Sequence, residues 1–268
     1  MQRKKFIKIL SFGTLGISMV PMACAKTVYK KTNEAICKNT WDALCGKIGK
    51  SYKTDAFVYV HPKKRIPNVF IYGDSISIAY SSKVMKLLRG KANVYRLFKN
   101  GGSSDQFIPN MEKLQESMFQ PGLEEGWNFD WDVIHFNVGL HDLKYLKGKN
   151  LNKTEGRQVS SIETYKENLE GVCQYLKTKF PNAKLIFATT TPVPENAKGR
   201  FKGDSIKYNT AALEVLLNHP DIIVNDLYAF TKPHRKAWEQ APGNVHYKAL
   251  GFNQQGEEVA RVIDEVLS

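Results

Sequence analysis

Five short apolar runs, each five or six residues long, recur from Asn68 onward, and stretches of helical period separate them. The runs are 68–72, 93–98, 132–137, 184–189 and 221–225. Runs of this length suit strands buried on both faces, as in a parallel sheet. The amphipathic stretches are 78–88, 107–118, 162–180 and 206–217, with a last one at 256–267 that places Val259, Val262, Ile263 and Val266 on one face. Strands alternating with helices predict a mainly parallel five-stranded sheet covered by helices on both sides. The polar stretch 147–160 lacks periodicity and reads as a surface loop.

The first run stops at Gly73-Asp74-Ser75, and a helix-compatible stretch follows. A serine at such a corner lies outside the carboxyl end of a strand, where open α/β sheets bind ligands. It also lies near a helix N-terminus, whose free N–H groups favour negative charge. A serine there suits two jobs: capping the helix, or attacking a carbonyl. Three further blocks bear on the choice. Asn100-Gly101-Gly102-Ser103-Ser104 follows the second run, Asn137-Val138-Gly139-Leu140-His141-Asp142 follows the third, and Asn244-Val245-His246-Tyr247 precedes the last helix. A parallel sheet can bring all four to one edge.

In order and spacing these blocks resemble the SGNH hydrolases, the GDSL-type lipases and esterases, over roughly three quarters of the chain. The resemblance implies a three-layer α/β/α fold of flavodoxin-like type. It also implies Ser75 as nucleophile and His246 as base. The oxyanion donors would be the Ser75 N–H, a glycine N–H from Gly101 or, in first place, Gly102, and a side-chain amide. That set fits acyl transfer, in which the serine needs a base and the oxyanion needs preorganised donors.

Two positions depart from the family pattern. The third block usually reads G-x-N-D, and His141 stands in place of the asparagine. Either Asn137 or a ring N–H of His141 then completes the oxyanion site. The family's aspartate, three residues before the histidine, is replaced by Gly243. Asn244 is the nearest polar group able to orient His246, with a backbone carbonyl as the other candidate, so a Ser–His dyad is expected. Singly, each residue also has a structural reading. Gly101-Gly102 suits a turn, and Asn137 and Asp142 suit loop-stabilising hydrogen bonds.

Ahead of the sheet, residues 1–25 read as a signal peptide: Arg3, Lys4, Lys5 and Lys8, then an apolar core 9–20, then Ala23-Cys24-Ala25 as a cleavage site. Cys24 as a lipid anchor is the competing reading. Both place the protein outside the cytoplasm, periplasmic or secreted, with no transmembrane span in the mature chain. Cleavage removes four basic and no acidic side chains, lowering the formal charge from +13 to +9. Lys and Arg are scattered, and no nucleic-acid motif accompanies them.

Residues 26–66 form an N-terminal extension to the domain at 67–268. Thr32 or Asn33 caps a helix to about Ile48, with Ile36, Trp41, Leu44 and Ile48 as its apolar positions, and 56–60 reads as a short strand. Cys37 and Cys45 suit a disulfide unless they share one straight helix, where eight residues put them about 12 Å apart. Cys173 fits a core position. His61, His135, His219 and His234 carry no role, and no metal or cofactor pattern is present.

The function expected is an exported serine esterase acting on small acyl esters, O-acetyl groups on glycans foremost. Tyr228, Trp238 and Tyr247 are candidates to line a sugar cleft. An inactive glycan-binding relative is the alternative, and a lipase or lysophospholipase a further one. The α/β-hydrolase elbow is a poorer match, because the second glycine of G-x-S-x-G is missing.

Overall fold

The computed structural model describes residues 22–46, 54–124 and 126–268, with side chains of the first helix from Asn33. The region read as a signal lies outside the described residues except for 22–25. The elements are α1 (Met22–Gly46), β1 (Asn68–Tyr72), α2 (Ser75–Leu87), β2 (Asn93–Arg96), α3 (Phe107–Met118), β3 (Val133–Phe136), β4 (Tyr145–Lys147), β5 (Asn150–Leu151), β6 (Arg157–Gln158), α4 (Ile162–Lys179), β7 (Lys184–Ala188), α5 (Asp204–Leu216), β8 (Ile223–Asn225), α6 (Leu227–Thr231), α7 (Arg235–Trp238) and α8 (Ala249–Leu267).

The five predicted strands form one sheet in the order β2-β1-β3-β7-β8, and every pairing is parallel. Helices α3, α4 and α5 pack side by side, while α2 packs on α8, the two layers expected of right-handed crossovers that reverse direction after β2. Central strands are sealed on both faces: Val69, Phe70, Ile71 and Tyr72 are all buried, as are Ile134, Phe136, Ile186 and Phe187. The edge strand β8 instead leaves Ile223 and Val224 partly exposed.

The ends of the helices answer to local chemistry. Asp74 caps α2 by accepting from the Ile76 N–H at 2.8 Å, so the helix begins at Ser75, earlier than its apolar pattern. The last helix begins at Ala249, seven residues before the pattern suggested, because its first turn packs Gly251 against Trp238 and Tyr247.

Four expectations need correction. Helix α1 runs from Met22, so Thr32 and Asn33 lie within it rather than capping it. Residues 56–60 form no strand: Asp55–Phe57 is a 3₁₀ turn whose Ala56 and Phe57 enter the core, and no neighbouring strand pairs with it. Stretch 147–160 is a small antiparallel ribbon, β5-β4-β6, rather than a plain loop. Ile36 is exposed on α1, while Cys37, Trp41, Leu44 and Cys45 face the core; Ile48 lies outside the described residues. Trp41 donates from Nε1 to the Phe57 carbonyl at 2.8 Å, fastening α1 to the chain leading into the sheet. Cys37 and Cys45 lie on the one helix as buried free thiols, and Cys173 is another. No described helix is long and apolar enough to cross a membrane.

Candidate active site

The nucleophile block is held by close packing. A Cβ on Gly73 would come within 2.9 Å of Ser77 Cβ and Oγ. The Arg96 guanidinium at the end of β2 is buried beneath this turn and donates to Ser77 Oγ at 3.1 Å and the Leu97 carbonyl at 2.7 Å. Burial holds its pKa down at about 10, so it remains a cation. Because Asp74 takes the capping position, the Ser75 hydroxyl is free for another partner. Ser75 Oγ lies 2.8 Å from His246 Nε2, across 171 residues of sequence.

Two acceptor contacts decide the His246 tautomer. Asn244 Oδ1 lies 3.0 Å from the His246 backbone N–H and 2.8 Å from its Nδ1. A backbone N–H only donates, so the Asn244 atom facing it is the oxygen. That oxygen then accepts from Nδ1–H, leaving the lone pair on Nε2 to receive the Ser75 proton. Desolvation lowers the His246 pKa, and the Arg200 cation adds to the effect against Asp74. The ring is therefore neutral at neutral pH, as a base must be. Its segment is pinned by Gln240 N–H on the His246 carbonyl at 3.0 Å and by the Arg235 guanidinium on the Asn244 carbonyl.

Gly243 could not carry the family's aspartate without strain. Its φ is +77°, and a Cβ there would come within 2.6 Å of the Asn196 carbonyl oxygen.

The second block is tied back to the first. Gly101 donates to the Gly73 carbonyl at 2.9 Å, and its own carbonyl accepts from Tyr72 Oη at 2.8 Å and Asn110 Nδ2 at 3.1 Å. A Cβ on Gly101 would come within 2.6 Å of the Tyr72 ring. Gly102, at φ +76°, turns its N–H onto Asn100 Oδ1 at 3.0 Å.

In the third block, Asn137 donates from Nδ2 to the Ala188 carbonyl at 2.6 Å and lines a small enclosed space with Asp74, Ile76, Ser77 and Tyr80. His141 is half-buried, with Nδ1 3.0 Å from Lys144 Nζ. Asp142 is a buried brace. It accepts from the Ser104 N–H at 3.0 Å, from Ser104 Oγ at 2.6 Å and from Ser160 Oγ at 2.8 Å, joining the second and third blocks. Burial raises its pKa, and these hydrogen bonds oppose the rise.

Ser75, His246 and Asn244 thus meet as the sequence suggested. Gly102, Asn137 and His141 stand on the loops following β2 and β3, at the same edge of the sheet. Trp238 and Tyr247 are buried, and only Tyr228 of the three aromatics lines a cleft. Three cations escaped the sequence reading: Arg96, Lys144 and Arg200, whose Nε holds the Leu140 carbonyl at 3.1 Å. No motif marks them, because each acts across loops that only the fold brings together.

Several known proteins share this fold. A lipase/acylhydrolase from Enterococcus faecalis superposes with a TM-score of 0.56 at 18% identity, covering 75% of this chain and 96% of the other. The acetyl xylan esterase AlAXEase gives 0.54 at 16% identity, over 73% and 99%. The chain has the SGNH hydrolase fold. A carbohydrate esterase family 2 enzyme with a carbohydrate-binding domain, from Corynascus thermopiles (Myceliophthora fergusii), gives 0.53 at 16%, over 78% and 69%. In sequence, a GDSL esterase/lipase of Arabidopsis thaliana is 25% identical over 139 residues, 50% of this chain. The match spans about half of that relative, 54% of its length. No protein-family model matches.

Proposed function

We propose that this chain is an exported serine esterase that hydrolyses small acyl esters, with O-acetyl groups on carbohydrate as its substrates. One observation carries the chemistry: Ser75 Oγ sits 2.8 Å from the His246 nitrogen that Asn244 leaves unprotonated. Ser75 attacks the ester carbonyl while its proton passes to His246 Nε2. The tetrahedral adduct collapses as His246 returns that proton to the departing alcohol. His246 next draws a proton from water as the water oxygen attacks the acyl-enzyme carbonyl, and the second adduct collapses as His246 Nε2 returns that proton to Ser75 Oγ, releasing the acid. The Ser75 N–H opens α2 and has no acceptor among the described residues, which suits it to the oxyanion. Gly102 N–H serves as a second donor once Asn100 yields it.

Two features favour carbohydrate. Similar folds belong to an acetyl xylan esterase and a carbohydrate esterase. An open cleft of about 910 Å³ also runs beside the histidine segment, lined by residues including Asn196, Lys202, Tyr228, Lys232 and Gly243. Its lining sets Lys202, Lys232, Arg235 and Lys236 against Glu195 and Glu239, a net positive charge that suits an acidic glycan. Export rests on the basic, then apolar, pattern of residues 1–25.

The test is hydrolysis of an activated acetyl ester by the wild type, Ser75→Ala and His246→Ala. Both variants should fold normally and lose roughly 1000-fold or more in kcat/KM. Equal rates in all three proteins, across acyl lengths and pH, would refute the reading.

A further inference from the structure

His141 occupies the position where the resemblance expects an asparagine amide, and its surroundings prescribe which ring nitrogen carries the proton. The turn closed by Leu143 N–H on the Gly139 carbonyl, at 3.0 Å, brings His141 and Lys144 together. Lys144 itself is held on both sides. Its carbonyl accepts from Val159 N–H at 2.9 Å, and the neighbouring Tyr145 N–H is bonded to the Gly199 carbonyl at 2.7 Å. The β4–β6 ribbon thus aims the lysine at His141 Nδ1, 3.0 Å away.

A lysine ammonium has three donors and no acceptor. The ring nitrogen facing it must be the one with the lone pair, so the ring proton sits on Nε2. Burial pushes the His141 pKa down to about 4; Lys144, Arg200 and His246 add to this, and Asp74 opposes it. The ring is therefore neutral and holds one proton. Burial and Arg200 lower the Lys144 pKa, against the carboxylates of Asp142 and Asp74. His141 Nε2 has no hydrogen-bond partner among the described residues. Asn137, the rival amide, already gives an N–H to Ala188.

We propose that Lys144 locks His141 as the Nε2–H tautomer and that this N–H is the side-chain donor of the oxyanion site. The inference rests on the serine-esterase reading above. The two histidines then hold opposite tautomers, set by opposite partners. An amide oxygen on His246 Nδ1 makes Nε2 a base, and an ammonium on His141 Nδ1 makes Nε2 a donor. His141 keeps its proton throughout; the proton that moves is that of Ser75. Lys144 is a positioning residue, since it acts through His141.

The experiment combines ¹⁵N imidazole spectra of the ¹⁵N-histidine-labelled full chain with acetyl-ester kinetics. Wild-type His141 should show an unprotonated Nδ1 and a protonated Nε2 at neutral pH, with His246 the reverse. Lys144→Met should mix the His141 tautomers and lower kcat roughly tenfold with KM little changed. Lys144→Arg, which retains a donor, should recover most of the rate. His141→Leu should lower kcat roughly 100-fold, and His141→Asn, restoring an amide donor, should recover much of it. A protonated Nδ1 on wild-type His141, or a folded Lys144→Met with wild-type spectrum and kcat, would overturn the proposal while Ser75→Ala still upheld the esterase. Conversely, the expected tautomers in a protein with no Ser75-dependent hydrolysis would overturn the esterase reading and the donor role, leaving only the lock.

Discussion

In the proposed mechanism, Asn244 does with a neutral amide what the aspartate of SGNH hydrolases does with a charge. Its Oδ1 fixes the His246 tautomer but offers the imidazolium no opposite charge. Asn244→Ala should therefore lower kcat/KM roughly 10- to 100-fold, on the order of 2 kcal/mol in the barrier, with the fold intact. Asn244→Asp gives the more diagnostic result. A carboxylate at this distance favours the charged ring, so the His246 pKa should rise from its depressed position. The acid limb of the kcat/KM–pH profile should move to higher pH, and the rate on its plateau should increase. An unmoved acid limb would mean that His246 is not the titrating base. Ser75, His246 and Asn244 were legible in the sequence because each belongs to an ordered block. Lys144 and Arg200 were not, because a lone cation on a loop carries no pattern until the side chain it meets is known.

At the scale of elements, buried structure was read more faithfully than exposed structure. All five strands of the parallel sheet and the helix α3 match the sequence reading to within a few residues, since burial of β1, β2, β3 and β7 imposes the apolar runs being read and only β8 is largely exposed. The ribbon of β4, β5 and β6 was missed because its strands are largely exposed and polar, leaving no alternation to detect. The 3₁₀ turn at Asp55–Phe57 resembles a strand in sequence because two core residues in five mimic one. The loop leading to α8 leaves no room for a side chain three residues before His246. Its Gly243 lies in the left-handed region with the Asn196 carbonyl where a side chain would begin. Gly243→Asp, which restores the family's spacing, should consequently lower stability by about 1–3 kcal/mol, measured by denaturant unfolding, and should not raise activity. A stable Gly243→Asp with increased kcat would show that this loop rearranges at little cost.

For the molecule as a whole, buried neutral histidines tie stability to pH. His135 lies in the centre of β3, fully buried, with Nε2 3.3 Å from Asn225 Nδ2 and no partner at Nδ1 among the described residues. Desolvation drives its pKa from the ordinary 6.5 to about 3. The folded state thus binds fewer protons than the unfolded chain across that interval. The contribution is fully present above pH 6.5 and is lost as pH falls toward 3. Between pH 6.5 and 5, one such group accounts for a loss of roughly 2 kcal/mol. His141 and His246 have depressed values and act in the same direction. Asp142, whose pKa is raised by burial, acts in the opposite sense over the carboxylate range and offsets part of the loss. Unfolding in urea at a series of pH values should therefore show stability falling from pH 7 to 5, before most carboxylates titrate. His135→Gln keeps an acceptor for Asn225 but cannot take up a proton in this range, so it should flatten the fall even if it lowers stability at pH 7. An unchanged slope in that variant would place the acid sensitivity elsewhere, with the two histidines at the site as the next groups to replace.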